Sequence, residues 1–96
     1  MIVAVTYRYT EDVATRDEVR AEHREFLRGL ADAGHLLLSG PFGADAPAGA
    51  LLVYRADDLA QVQGWVDADP FSTRGVVASS TVTEWEPVLG TLLPAL

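Results

Sequence analysis

Leu36-Leu37-Leu38-Ser39 and, beyond a loop, Ala50-Leu51-Leu52-Val53-Tyr54-Arg55 are two short apolar runs with no helical pattern between them. Each is too short for a stable helix and is bounded by turn residues, Gly34-His35 before the first and Gly40-Pro41 after it, so both read as strands. The intervening segment Gly40 to Gly49 holds two prolines, further glycines and Asp45, and reads as a loop. Two consecutive strands in the middle of the chain decide the fold, because each is flanked on its outer side by a helical segment and then another strand.

Working outward on the N-terminal side, Thr15 stands three residues before Glu18, the spacing of a capping box. A helix is predicted to begin there, or one turn earlier at Asp12, and to stop at Gly34, which tolerates a left-handed conformation. Before it, Ile2 to Tyr9 is rich in β-branched and aromatic residues and forms the first strand. On the C-terminal side, Asp57 or Asp58 caps a second helix running to about Val66. Val76 to Trp85 is the fourth strand. Pro87 and Pro94 keep the apolar tail from being a regular helix or a central strand.

The order strand, helix, strand, strand, helix, strand, with right-handed crossovers, gives an α+β chain of ferredoxin-like βαββαβ type: a four-stranded antiparallel sheet with both helices on one face. The strands do not alternate cleanly, and runs such as Ile2 to Val5 and Leu51 to Val53 put apolar side chains on both faces. A sheet face left to water normally carries polar residues. The second face therefore calls for a cover, either a twin sheet in a two-fold dimer of the α/β-barrel kind or the tail Val88 to Leu96 folded back over part of it.

Ninety-six residues suffice for one domain, 1–96, with one core. No run approaches the ~20 apolar residues needed to cross a bilayer, and the apolar start lacks the basic lead of a signal peptide, so a cytoplasmic protein is expected. Fourteen carboxylates against seven arginines leave a formal charge of −7 and no basic stripe, which argues against nucleic acid as a partner. There is no cysteine and no lysine, so thiolate nucleophiles, cysteine metal sites and Schiff bases are excluded. His23 and His35 lie twelve residues apart, unlike a compact helical metal pair, and no metal or other cofactor is expected.

On a helical wheel of about 100° per residue with Val19 at zero, Phe26 falls near −20°, Leu30 near 20°, His23 near 40° and Leu27 near 80°. His23 thus lies inside the apolar stripe, while Asp17, Arg24, Glu25, Arg28 and Asp32 take the outer face. An imidazole aimed at a sheet must find a partner, since an unmet buried polar group costs about 1–3 kcal/mol. It is either a satisfied core residue or a site residue. A partner is available in Asp69-Pro70-Phe71, although Asp followed by Pro is also a common start to a short helix. A carboxylate that accepts from one ring nitrogen fixes the tautomer and favours base behaviour at the other. Whether the two meet depends on the fold.

Several of these features together resemble the YCII-like family of the dimeric α/β-barrel superfamily: Arg20 and His23 in an Arg-x-x-His element, Phe26-Leu27, the closing Gly34, the Ser39-Gly40-Pro41 turn, the glycine-rich return, and Asp69-Pro70-Phe71 before a last strand ending in Trp85. The resemblance spans nearly the whole chain. It implies a dimeric ferredoxin-like fold with His23 and Asp69 as a catalytic dyad and Ser39 beside them as a hydrogen-bonding group. It also implies cofactor-independent elimination or isomerisation of a small ring or halogenated compound. Ser39 read alone is equally a turn residue.

Arg8, Arg16 or Arg20 could hold a substrate carboxylate by a two-point contact, or be ordinary surface pairs. Phe71, with Tyr7, Tyr54 and Phe42, could line an apolar cleft or belong to the core. His35 reads as a solvated loop residue. Gly40, Gly43 and Gly49 have neither the spacing nor the lysine of a phosphate loop. The expected partners are a second copy of the chain, through the open sheet face, and a small-molecule ligand. The rival reading is a non-catalytic dimeric module that binds a small ligand or a protein, with His23 a core residue.

Overall fold

β1 (Ile2–Tyr9) lies in the interior of the sheet, where its β-branched and aromatic residues pack on both sides. The computed structural model describes all residues, Met1–Leu96. After β1 the chain runs through α1 (Val13–Asp32), β2 (Leu36–Pro41), β3 (Gly49–Arg55), α2 (Leu59–Ala68), α3 (Pro70–Thr73) and β4 (Val77–Trp85), and closes with a single 3₁₀ turn at Leu93–Ala95. The strand order is β2-β3-β1-β4 and each neighbouring pair is antiparallel, the ferredoxin-like arrangement.

Local chemistry sets the element ends. α1 starts at the earlier of its two predicted points. The Asp12 carboxylate accepts from the Thr15 hydroxyl at 2.6 Å and the Thr15 N–H at 3.1 Å, and these bonds hold its carboxyl below the ordinary range. Thr15 is therefore the partner of a cap and not the cap itself. At the other end Gly34 has φ +85°, its N–H donates to Ala31 O, and the His35 N–H donates to Leu30 O. That pair of bonds is a Schellman closure, which needs the left-handed conformation glycine supplies. Asp58, not Asp57, caps α2 by accepting from the Gln61 N–H at 2.8 Å.

Alternation along the strands separates two faces. Val3, Val5 and Tyr7 of β1 pair with Tyr54, Leu52 and Ala50 of β3 and are buried against the helices with Leu27, Val62 and Val66. Burying each such aliphatic chain is worth about 1.5–3 kcal/mol. The far face keeps large apolar groups exposed, with Leu38 at 51%, Leu51 at 38% and Trp85 at 47%. The tail does not fold over these residues as a sheath. It is held where Arg55 donates to the carbonyl oxygens of Ala95 and Leu96, and Val88, Leu89 and Leu92 remain exposed.

β2 carries a bulge: Leu36 pairs with Tyr54 and Leu38 with Val53, so Leu37 is the extra residue. Simple alternation from Leu36 would put Ser39 on the far face. The bulge reverses the parity, and Ser39, paired with Leu52, joins the helix-side face.

β3 starts one residue before its predicted position, at Gly49, whose backbone abuts β1. A Cβ here would run into the Tyr7 carbonyl oxygen and lie 3.3 Å from the Phe42 ring. Gly49→Ala should therefore destabilise the fold by about 1–3 kcal/mol, the usual range for overpacking, as a lower denaturation midpoint. An unchanged midpoint would show that β1 and β3 can part at no cost.

Candidate active site

Asp69 closes α2, its N–H donating to Trp65 O and Val66 O, and caps α3, where Pro70 occupies the first turn and Asp69 Oδ1 accepts from the Phe71 N–H at 2.9 Å. It is completely buried. Oδ2 accepts from the Tyr7 hydroxyl of β1 at 2.8 Å. His23 Nδ1 of α1 lies 2.8 Å from Oδ1 and 3.1 Å from Oδ2. The two readings open for Asp69 in the sequence, helix cap and histidine partner, are thus both realised by one carboxylate with three donors around it.

The same tripeptide grips the imidazole by its face. The Phe71 ring lies parallel to it, with centroids 3.8 Å apart and an interplanar angle of 2°. Tyr9 meets Phe71 edge-on at 5.4 Å. A carboxylate at Nδ1 favours the tautomer that carries a proton there and leaves a lone pair on Nε2. Nε2 has no partner within the chain. The unpaired side-chain atoms sealed from solvent are Arg16 Nε, Tyr54 Oη and Ser72 Oγ, so Nε2 is not among those closed off. His23 lines a cavity of about 770 Å³ between α1, β2, β3 and the loop joining them. A fixed imidazole with one nitrogen open to a cavity can take up or deliver a proton there.

A YCII-related domain model matches residues 1–86. The chain belongs to the YCII-related family. In fold it is similar to a 5-chloro-2-hydroxyhydroquinone dehydrochlorinase, TftG, from Burkholderia phenoliruptrix AC1100, whose structure is a complex with 2,5-dihydroxybenzoquinone. The two share 23% identity over 90% of this chain and 94% of that one, with a TM-score of 0.78. It is also similar to an antibiotic biosynthesis monooxygenase at 14% identity over 91% of this chain and 100% of the other, with a TM-score of 0.56. No curated protein matches the sequence.

In this YCII-related chain Ser39, Arg20 and Phe71 line the cavity with His23, as do Arg16 and Arg24. Arg24, placed on the outer face by the wheel, is exposed and yet reaches the cavity rim. The structure keeps Arg8 apart. It follows Tyr7 on the opposite face of β1, does not line the cavity, and sets its guanidinium 5.9 Å from the centroid of Phe42, a ring that does. His35 is not a free loop residue, because its ring packs on Trp65 at 4.6 Å. No group of three or more His, Cys, Asp or Glu side chains is placed to hold a metal ion.

Sequence reasoning missed Tyr7 as a partner of Asp69. Its position in the inward set Val3, Val5, Tyr7 was the available signal, since a phenol at the sheet centre must find an acceptor. Burial, reinforced by the Asp69 charge, drives the Tyr7 phenol far above its ordinary value. The same two causes raise Tyr54. Tyr9 is raised by burial and then by Asp69, while Arg16 and Arg20 pull it partly back. All three tyrosines of the chain therefore hold their protons when folded.

Unfolded tyrosines ionise near pH ~10. Above that value the unfolded chain binds fewer protons than the native one, so stability falls as pH rises. Tyrosinate absorbance should appear together with unfolding in an alkaline titration, and Tyr7→Phe should make the loss of stability with pH shallower. Gradual titration of the folded protein near the ordinary value would contradict this assignment.

Proposed function

We propose that the chain is a cofactor-independent lyase or isomerase acting on a small ring compound, a halogenated one included, with His23 as general base. The observation that carries this reading is an imidazole that lines a cavity, with Nδ1 fixed to a buried carboxylate and Nε2 unpartnered and not sealed from solvent. His23 Nε2 removes a proton from a carbon next to an electron-withdrawing group, and the electron pair moves onto the neighbouring oxygen. The imidazolium that forms is paired with Asp69, which accepts from it throughout. Ser39 donates to the oxyanion. In an elimination the electron pair returns to expel halide from a saturated adjacent carbon, for a net loss of hydrogen halide. A halogenated hydroquinone reacts as the keto tautomer that carries halide on a saturated carbon, and His23 then takes the proton of the conjugated enol hydroxyl. In an isomerisation the imidazolium returns its proton to another carbon. The likeness in fold to a dehydrochlorinase makes the elimination the first to test.

Chloride release from 5-chloro-2-hydroxyhydroquinone and from a panel of halogenated ring enols should be detectable with the native chain. General bases contribute about 10²–10⁴-fold, so His23→Ala should lower turnover at least a hundredfold, and His23→Asn, whose amide can still donate to Asp69, should do the same with circular dichroism unchanged. Undiminished turnover in either variant would remove His23 from the reaction and favour a binding module.

The partner proposed with this function is a second copy of the chain, joined through the far sheet face. Leu38, Leu51 and Trp85 stand exposed there, and the tail leaves them uncovered. Sedimentation equilibrium should give a dimer, and Leu51→Arg should give a folded monomer, since a charge there would have to be desolvated in the interface. A native chain that sediments as a monomer at micromolar concentration would end this part of the proposal.

A further inference from the structure

The cavity is charged in a way the chain as a whole is not. Three of the seven arginines line it, Arg16, Arg20 and Arg24, while none of the fourteen aspartates and glutamates does. Asp69, the carboxylate joined to the site, lies sealed behind His23. The three arginines follow one another at intervals of four along α1 and so form a ridge beside the stripe that carries His23.

Their partners leave that charge available. Arg16 donates to the Thr10 carbonyl oxygen at 2.9 Å and lies 5.1 Å from the centroid of Tyr9, so it is held in place without a counter-charge. Arg24 makes no ion pair, although a shallow groove on the outer side of α1 sets it near Asp17 and Glu25. Arg20 is bound through one nitrogen to Asp17 at 2.7 Å, an exposed pair, and its remaining donors are free. Tyr9, beside Arg16, and Phe42 supply apolar ring surface to the cavity, and Phe71 lies buried behind them against His23.

We infer that the cavity selects ring compounds bearing an ionised acidic group, a carboxylate or an acidic enol, with Arg20 and Arg24 holding that group at the mouth and Arg16 adding fixed positive charge beside it. The inference rests on reading the cavity as the substrate site. It deepens that reading by naming the substrate class. A planar guanidinium matches a carboxylate or a vinylogous acid through two parallel bonds. The same charges would steady the anion formed when His23 removes a proton.

Matched pairs of probes test this by isothermal titration calorimetry: 2,5-dihydroxybenzoquinone, which is ionised at neutral pH, against its dimethyl ether, and benzoate against methyl benzoate. The native chain should bind the anion of at least one pair about tenfold or more tightly than its neutral partner, the scale of one charge-assisted hydrogen bond. The double variant Arg20→Met with Arg24→Met should lose that preference while its affinity for the neutral partner is unchanged. No preference in either pair overturns the inference, as does equal loss of both partners in the double variant.

His23→Ala separates the two readings, because binding is measured without turnover. Anion preference retained in that variant, with no reaction of any probe by the native chain, leaves this inference standing and the catalytic one fallen. Turnover of neutral ring compounds without any anion preference does the reverse.

Discussion

A carboxylate with no exposed surface stands where α2 ends, α3 begins and α1 crosses β1, and the rest of the site depends on how it is satisfied. Removing an ion from water carries an effective penalty of several kcal/mol, which only well-placed donors can offset. Asp69 has three: a phenol from the sheet, a backbone N–H from the short helix it caps, and an imidazole from α1. At about 1.5–3 kcal/mol for each bond to a charged acceptor, the three together are of the size needed. Each donor also belongs to a different part of the fold. The carboxylate can therefore stay buried only when the sheet, α1 and α3 are all in place, and the geometry that orients His23 is the geometry that lets the core close.

This coupling explains what the sequence revealed and what it withheld. The strands were legible because β-branched runs and turn residues act locally, and the observed limits of β1 match the predicted ones. His23 was legible as an anomaly because a helical wheel needs only the helix. The start of α1 was harder, since Asp12 and Thr15 are both good caps, and the one whose carboxylate could gather both the hydroxyl and the N–H of the other prevailed. The pairing of His23 with Asp69 joins residues 46 positions apart, and that of Tyr7 with Asp69 spans 62. No local pattern encodes such contacts. The first could be reached through family resemblance, whereas Tyr7 looked like any other core aromatic until its hydroxyl had an acceptor.

The bulge at Leu37 shows a second way in which local reading falls short. Side-chain direction along a strand is a parity, and one inserted residue inverts everything beyond it. Leu38 moves to the face that remains open, and Ser39 moves to the face that holds the cavity. A single irregularity thus adds an apolar group to the surface available for association and a hydroxyl to the site. Periodicity in the sequence gives no sign of it, because Leu36, Leu37 and Leu38 are identical residues and any of them could be the extra one.

Net charge misleads for a similar reason: it is a sum over the chain, whereas a ligand responds to the groups nearest to it. At physiological ionic strength the screening length is about 8 Å, so carboxylates on distant surfaces contribute little to the potential inside a concave site. Arginines lining its wall are felt with less screening, and the low-dielectric walls concentrate their field. A chain of formal charge −7 can therefore hold a locally positive cavity. The acidic balance that argues against a long polyanion such as nucleic acid carries no weight against a small acid, because a polyanion must lie along the surface while a small ring enters the cavity. The wheel assigned Arg24 to the outer face and so did not group it with Arg16 and Arg20. Which side faces the cavity was decided only when Val19, His23 and Leu27 turned inward against the sheet and carried the arginine ridge to the opening.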